Sequence, residues 1–375
     1  MRRYTQTKFM SARIRFEHLI YCHIWSCLAV LSLVSFGVDS VSAQTAEFLS
    51  NIRQLTFGGQ NAEAYWSPSG EKLVFQATRD GNRCDQIYVM NADGSDLRMV
   101  STGKGVTTCG YFLPGDQEIV YASTHESVSI CPPRPDRSQG YVWPIHEGYE
   151  IYRVRIDGSG LQKLTESKGY DAETTVNWAS KRIAYTSMSS GDLDLWSMDF
   201  SGHNKTQITT TLGYDGGAFF SRDGSKLVWR AHHPSETKSR QRYRNLLDKN
   251  LTAPMKMELF VADTEEVVGR QITSFGCAAF APQFTPDAKR IIFSSNKNKC
   301  DSREFELFIV DVDGSNLEQV TNFGGFTSFA EFSPDGLKIV FTSSYNAHSP
   351  YEFNIFTADW NPAKGDYTNE KSRKD

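Results

Sequence analysis

One phrase returns six times along the chain and restricts its folds more than any other feature. It is clearest as YWSPSGEKLVFQA from Tyr65, FSRDGSKLVWRA from Phe220, FTPDAKRIIFSS from Phe284 and FSPDGLKIVFTS from Phe332, with looser copies FLPGDQEIVYAS from Phe112 and NWASKRIAYTS from Asn177. Each copy reads as an aromatic ending a short strand (Trp66, Phe112, Trp178, Phe220, Phe284, Phe332), a Pro/Asp/Gly turn, and a second strand alternating as in Lys338-Ile339-Val340-Phe341. A period of this size marks stacked supersecondary units, because one small sheet cannot bury both of its faces alone.

A second phrase follows the first: QIYVMNADGSDLRMV from Gln86, EIYRVRIDGSGLQKLT from Glu150, DLWSMDFSGHNKTQIT from Asp194, ELFVADTEEVVGRQIT from Glu258 and ELFIVDVDGSNLEQVT from Glu306. Here a tight turn joins a third strand to a fourth. The last copy stops after Asn354 to Asp359 without a fourth strand, while Asn51-Ile52-Arg53-Gln54-Leu55-Thr56, ahead of the first copy, matches Asn316 to Thr321. The expected fold is all-β: a six-bladed β-propeller of four-stranded antiparallel blades, closed by an N-terminal strand that joins the last blade and removes an open edge. Each aromatic or branched side chain buried between blades contributes roughly 1.5 to 3 kcal/mol, so most repeat letters serve the core.

These residues resemble the WD-type propeller repeat of the TolB-like family, with its aromatic-Ser-Pro-Asp-Gly turn followed by Lys-x-Ile-x-Phe. The resemblance covers residues 51 to 360 and implies a six-bladed ring in the periplasm of a Gram-negative cell. The repeat also serves scaffolds, sensors and the gating propellers of peptidases, so it implies a fold more than an activity. TolB itself has an α/β domain before its propeller, whereas seven residues lie here between Ala43 and Asn51, so a Tol-Pal role is not implied.

Residues 1–43 read as a secretory signal: a basic start, an apolar run from Ile24 to Val38, and Val41-Ser42-Ala43 before Gln44. The alternative is an uncleaved anchor over Leu19 to Val38, which His23, Ser26, Ser32 and Ser35 dilute. The propeller is expected over 44–362 and a polar tail over 363–375. The chain carries a net charge of -4, and the export segment holds five bases against two acids, so the mature chain is more acidic still, near -7. That balance argues against nucleic acid as a partner. The mature chain is expected to be monomeric, periplasmic and without a membrane span.

In such blades the first-to-second and third-to-fourth turns open on one face and are short here. The second-to-third loops open on the other face, and two are long, about 124–149 and 231–257. Long loops on a rigid scaffold are where binding concentrates. The first, with Tyr141 and Trp143, is either a lid on the ring or an aromatic contact for ligand. The second predicts a helix from about Glu236 to Leu251, with Ser235 and Glu236 as cap and first-turn acid. Tyr243, Leu246, Leu247 and Leu251 form its apolar stripe, and Lys238, Arg240, Arg242, Arg244 and Lys249 lie opposite. That helix is either solvated on the rim or a site for an anion or partner.

The phrases Gly169-Tyr170-Asp171-Ala172-Glu173 and Gly213-Tyr214-Asp215-Gly216-Gly217 border the central channel. Asp171, Glu173 and Asp215 are candidates for an oxygen-ligated divalent cation, with backbone-holding turn acids as the plainer reading; no other cofactor is evident. The expected partner is a protein, peptide or envelope polymer on the long-loop face, met by Tyr141, Trp143, Tyr170, Asp171, Glu173, Tyr214, Asp215, Arg230 and His232. The alternative is a propeller lyase or hydrolase acting on an envelope polysaccharide or peptide, with His125, Asp171, Asp215, Arg230 and His232 as catalytic candidates. The sequence lacks the G-x-S-x-G, H-E-x-x-H and G-x-x-x-x-G-K-[ST] motifs.

Five cysteines follow the signal: Cys84, Cys109, Cys131, Cys277 and Cys300. Export favours disulfides. The expected pairs are Cys277 with Cys300 and Cys109 with either Cys84 or Cys131. No C-x-x-C spacing suggests zinc or redox chemistry.

Overall fold

Each repeat closes into one antiparallel sheet, and six such sheets stand in a ring. The computed structural model describes residues 42–361 apart from 139, 255 and 265–267; the export segment before Ser42 and the tail 363–375 lie outside it. Among the described residues no helix is long and apolar enough to cross a membrane.

Five sheets use four strands in chain order, and the sixth is shared between the two ends of the chain. Leu49–Gln54 pairs antiparallel with Asn354–Trp360, so Ser50 faces Asp359 and Gln54 faces Phe356. Phe48 and Trp360 stack beside this seam at 5.8 Å between centroids.

The final Thr of the second phrase explains itself in this geometry. In every blade a hydroxyl ending the fourth strand accepts the N-H of the third strand at 2.9 Å: Ser101 from Ile87, Thr165 from Ile151, Thr209 from Leu195, Thr273 from Leu259, Thr321 from Leu307 and Thr56 from Ile355. The same hydroxyl donates to the polar residue heading that third strand, as Thr321 does to Glu306 at 2.6 Å. Thr56 donates likewise to Asn354 at 3.2 Å, so the closing blade repeats the others' bonding across the whole chain length.

Short turns follow their composition. Asp335 accepts from the Leu337 amide at 3.0 Å, and Asp313 accepts from the Ser315 amide at 2.8 Å with Gly314 at φ +91°. The third copy departs from expectation. Val176 pairs with Ile183 where Trp66 pairs with Leu73, so Val176 takes the aromatic's position. Trp178 lies in the turn, and its indole N-H donates to the Phe112 carbonyl at 2.9 Å.

The expected helix is shorter, Thr237–Leu247, and Glu236 at its N-cap makes no side-chain capping bond. Only Tyr243 is buried along it. Leu251 leaves the stripe because Leu251–Thr252 forms a strand against Trp143–Pro144 instead.

Two disulfides join Cys84 to Cys131 and Cys277 to Cys300. The expected pairing of Cys109 is thus corrected: it is a free thiol. Cys109 sits on an innermost strand whose bulge turns it away from the loop cysteines.

Candidate functional site

All six innermost strands slip register at one place, and there one residue takes a left-handed backbone conformation. These are Glu63, Cys109, Glu173, Gly217, Ala281 and Phe329, with φ between +47° and +59°. Each stands three residues before the strand-end position held by Trp66, Phe112, Val176, Phe220, Phe284 or Phe332. A bulge bends the strand and re-aims a side chain. Repeated around a ring, it gathers side chains from different blades at the channel.

The Cys109 thiol donates to Glu63 Oε2 at 3.1 Å, across the first and second blades. Gln76 holds the Cys109 amide at 2.9 Å and the Thr108 hydroxyl at 2.7 Å. Glu173 accepts from the Tyr214 hydroxyl at 2.7 Å, from Thr186 at 2.8 Å and from Tyr170 at 3.3 Å. Arg230 Nη2 completes that side, 3.1 Å from Glu173 and 2.9 Å from the Tyr214 oxygen. Neither Gly216 nor Gly217 has room for a Cβ: at Gly216 it would meet the Tyr214 hydroxyl and Glu173, and at Gly217 the Arg230 guanidinium.

Burial dominates the electrostatics. It raises Glu63 to about 7, with Glu173 and Asp85 adding to the shift and the Cys109 hydrogen bond and Arg230 opposing it. Burial, then the charge of Glu63, pushes the Cys109 thiol well above its ordinary value. Burial works against the Arg230 charge as well, but Tyr214 and Glu173 outweigh it and the guanidinium stays protonated.

Below this layer the channel is blocked. The rings of Tyr65 and Phe219, from the first and fourth blades, approach to 5.6 Å, and Tyr111 adjoins Tyr65 at 5.1 Å. Glu331 is buried alongside, accepting from the Tyr111 hydroxyl and from the Trp66 amide at 2.6 Å. The channel is therefore a well floored by aromatic rings on the short-turn side.

The two long insertions meet across the third blade. Leu251 pairs with Pro144 and Thr252 with Trp143, and the Ile145 amide donates to the Asn250 carbonyl at 2.7 Å. Tyr243 anchors this clasp, its hydroxyl bonded to Asp192 and to the Gly213 carbonyl at 2.8 Å. The Cys84–Cys131 disulfide ties the other end to the first blade. Trp143 is half-buried beside the well, with the Arg230 guanidinium 5.3 Å and the Phe280 ring 5.4 Å from its own. Lys238, Arg240, Arg242, Arg244 and Lys249 are exposed, and among the described residues none of them forms an ion pair.

Of the residues singled out in the sequence, the fold brings Trp143, Tyr170, Glu173, Tyr214 and Arg230 together. Tyr141 is exposed and accepts from the Trp143 indole at 3.1 Å. Asp171 turns aside to Ser187, and Asp215 to the Trp229 indole at 2.7 Å and His233 at 3.0 Å. The three acids offered for a cation are thus committed to separate partners, and among the described residues no three His, Cys, Asp or Glu side chains converge on a metal position. His125 bonds Ser123 at 2.9 Å and packs on Tyr152 at 4.3 Å, while His232 is half-buried at the end of its strand. No hydrogen bond links any two of the five catalytic candidates. Sequence reasoning missed Glu63, Cys109, Tyr65 and Tyr149. For Glu63 and Cys109 the spacing of three before the strand-end residue was the available signal.

The fold is a six-bladed β-propeller in which the Glu63–Cys109 and Glu173–Arg230 contacts bridge neighbouring blades at the channel. The fold is that of the TolB-like propellers. A structure assigned to TolB of Agrobacterium tumefaciens superposes with TM-score 0.54 at 15% identity, over 83% of this chain and 97% of that one. TolB of Acinetobacter baumannii gives 0.52 at 15% identity, over 81% and 64%. Hydrazine synthase of Kuenenia stuttgartiensis gives 0.53 at 11% identity, over 84% and 48%. At such identities the likeness concerns the fold alone. No protein-family model matches the chain. In sequence, 95 residues are 34% identical to dipeptidyl-peptidase 5 of Porphyromonas endodontalis, covering 24% of this chain and only 14% of that protein's length.

Proposed function

We propose that this protein is an exported, periplasmic binding module whose clasped long-loop face holds a protein, peptide or envelope polymer, and that the surface it holds is acidic. One observation carries the reading: the insertion at 231–257, fixed in place by its pairing with Pro144 and Trp143, exposes five bases that form no ion pair among the described residues, on a chain of net charge -4. Opposed charge steers association and selects partners. Export is supported by the signal-like residues 1–43 and by two disulfides. A lyase or hydrolase has less support, because its five candidate groups serve separate partners.

The test is capture from a periplasmic extract on the intact chain, on a chain with Lys238, Arg242, Arg244 and Lys249 changed to Gln, and on one lacking 124–149. The reading expects the same anionic partners to be retained by the intact chain and lost from both variants, with the basic variant's melting temperature unchanged. Undiminished capture by the basic variant would sink it.

A further inference from the structure

Two clefts between blades are bridged by an arginine of this chain, and the cleft at the seam is not. Between the second and third blades, Arg153 pairs with Glu118 and reaches the Phe200 carbonyl at 3.5 Å. Between the fourth and fifth, Arg270 donates to the Val312 carbonyl at 2.7 Å and to the Asp313 carbonyl at 3.4 Å. Phe200 and Val312 hold the same place in their third-to-fourth turns, directly ahead of Ser201-Gly202 and Asp313-Gly314. A guanidinium thus meets the same turn carbonyl in both clefts.

At the seam between the sixth and first blades, that turn position belongs to Ala92, ahead of Asp93-Gly94. Thr357 lies across from Val340 as Arg153 lies across from Val120, and its short side chain does not span the cleft. Arg53 lies across from Thr357 as Arg270 lies across from Val261, yet it is exposed and forms no hydrogen bond or ion pair among the described residues. A cavity of about 400 Å³ results, with Arg53, Trp66, Ala92, Asp93 and Thr357 in its walls. That volume is in the range of small-ligand pockets. The unused polar atoms here are mostly acceptors. Thr357 is 8% exposed, and among the described residues its hydroxyl bonds nothing. The Ala92 carbonyl accepts no hydrogen bond there either, and Asp93 takes both Ser95 donors on Oδ1, which leaves Oδ2 unused. Buried polar groups without partners are rare unless something else meets them. Three acids, Asp93, Asp335 and Asp359, also outnumber the bases Arg53 and Lys338 around the cavity.

We propose that this seam cavity binds the guanidinium of an arginine side chain presented by a peptide or protein partner. The group takes here the place that Arg153 and Arg270 take in their own clefts, with the Ala92 carbonyl, Asp93 Oδ2 and the Thr357 hydroxyl as its acceptors. A guanidinium carries five N-H donors in a planar fork, which suits several separate acceptors, and its alkyl stem suits the apolar wall around Trp66. A carboxylate or phosphate would meet Asp93, Asp335 and Asp359. Arg53, a like charge at the edge, restrains affinity rather than supplying it. The cavity lies among the short turns and is independent of the role given to the clasp.

The experiment titrates the full chain by calorimetry with acetyl-arginine amide, acetyl-lysine amide, acetyl-glutamate amide and acetyl-citrulline amide, the last carrying an uncharged urea in place of the guanidinium. The arginine amide is expected to bind at least about tenfold more tightly than the citrulline and glutamate amides, and at least about threefold more tightly than the lysine amide, whose point charge reaches fewer acceptors. Thr357→Arg, which copies Arg153, is expected to fill the cavity and weaken arginine binding at least about tenfold without lowering the melting temperature. Arg53→Ala is expected to bind arginine at least as tightly as the wild type. If Thr357→Arg does not fold, Asp93→Asn, whose side-chain oxygen still accepts from Ser95, is expected to weaken binding by roughly threefold to tenfold. No binding of the arginine amide, citrulline binding as tightly as arginine, unchanged arginine affinity in the folded variant, or weaker binding in Arg53→Ala would each overturn the proposal. Partner capture by the clasp is measured separately, so either reading can fail alone.

Discussion

Arg230, on the second strand of the fourth blade, pairs at 3.1 Å with Glu173, the bulge residue of the third. It reaches that carboxylate because Gly217, the bulge residue of its own blade, has no side chain to occupy the path. Ala281 holds the equivalent bulge at φ +47° in the fifth blade, so the backbone conformation alone accepts a methyl group.

Gly217→Ala should therefore destabilise through the displaced guanidinium rather than through φ. We expect a loss of ~3–5 kcal/mol in denaturant unfolding, the range for breaking a buried pair. Ala281→Gly, the control, should change stability by less than about 1 kcal/mol. Equal effects at the two positions would detach Gly217 from the Arg230–Glu173 pair.

Glu331 should make stability depend on pH. Burial raises it from 4.5 to about 8, against the pull of its hydrogen bonds from Tyr111 and the Trp66 amide. Between those values the folded chain holds a proton that the unfolded chain has released. This group's contribution is thus fullest below its unfolded pKa and is lost as pH rises toward the folded one. Glu331→Gln removes that titration, so melting temperatures should shift progressively in the variant's favour from about pH 5 to about pH 8.5, by an equivalent of up to roughly 4 kcal/mol. A difference that does not vary with pH would contradict this.

Reducing Cys84–Cys131 should release the insertion it tethers. The bridge closes 47 residues of chain, and its loss, by Cys84→Ser with Cys131→Ser, should cost ~2–4 kcal/mol. Tryptic cleavage after Arg137, exposed on that insertion, should accelerate at the same time. Cleavage at the wild-type rate would show that strand pairing with Leu251–Thr252 suffices to hold the loop.

Thr56→Ala should behave like Thr321→Ala, although Thr56 lies at the far end of the chain from its partners. Each variant leaves a buried third-strand amide, Ile355 or Leu307, without its acceptor, at about 1–3 kcal/mol. A negligible effect at Thr56 alone, in thermal unfolding, would argue that the closing strand detaches readily.

The fold was legible in the sequence because a blade is built from short-range pairings. Turn residues, alternation and the recurring Thr report local geometry, and the match of Asn51 to Thr56 with Asn316 to Thr321 revealed the closing strand. Where a letter misled, as at Trp178, the aromatic had moved into the turn and Val176 had taken its position.

The site required the closed ring. Glu63 and Cys109 lie 46 residues apart, Glu173 and Arg230 on separate blades, and what joins them is a one-residue slip repeated at each innermost strand. Such slips leave no composition signal, since Glu, Cys, Gly, Ala and Phe all occupy them. The sequence by itself thus determined the number of blades, the hairpins that build them and the seam. Only the tertiary structure decided which side chains share the channel, that Cys109 faces Glu63 rather than another cysteine, and that Pro144 meets Leu251. Those contacts depend on the distance between blades, which depends on the ring closing and not on any local run of residues.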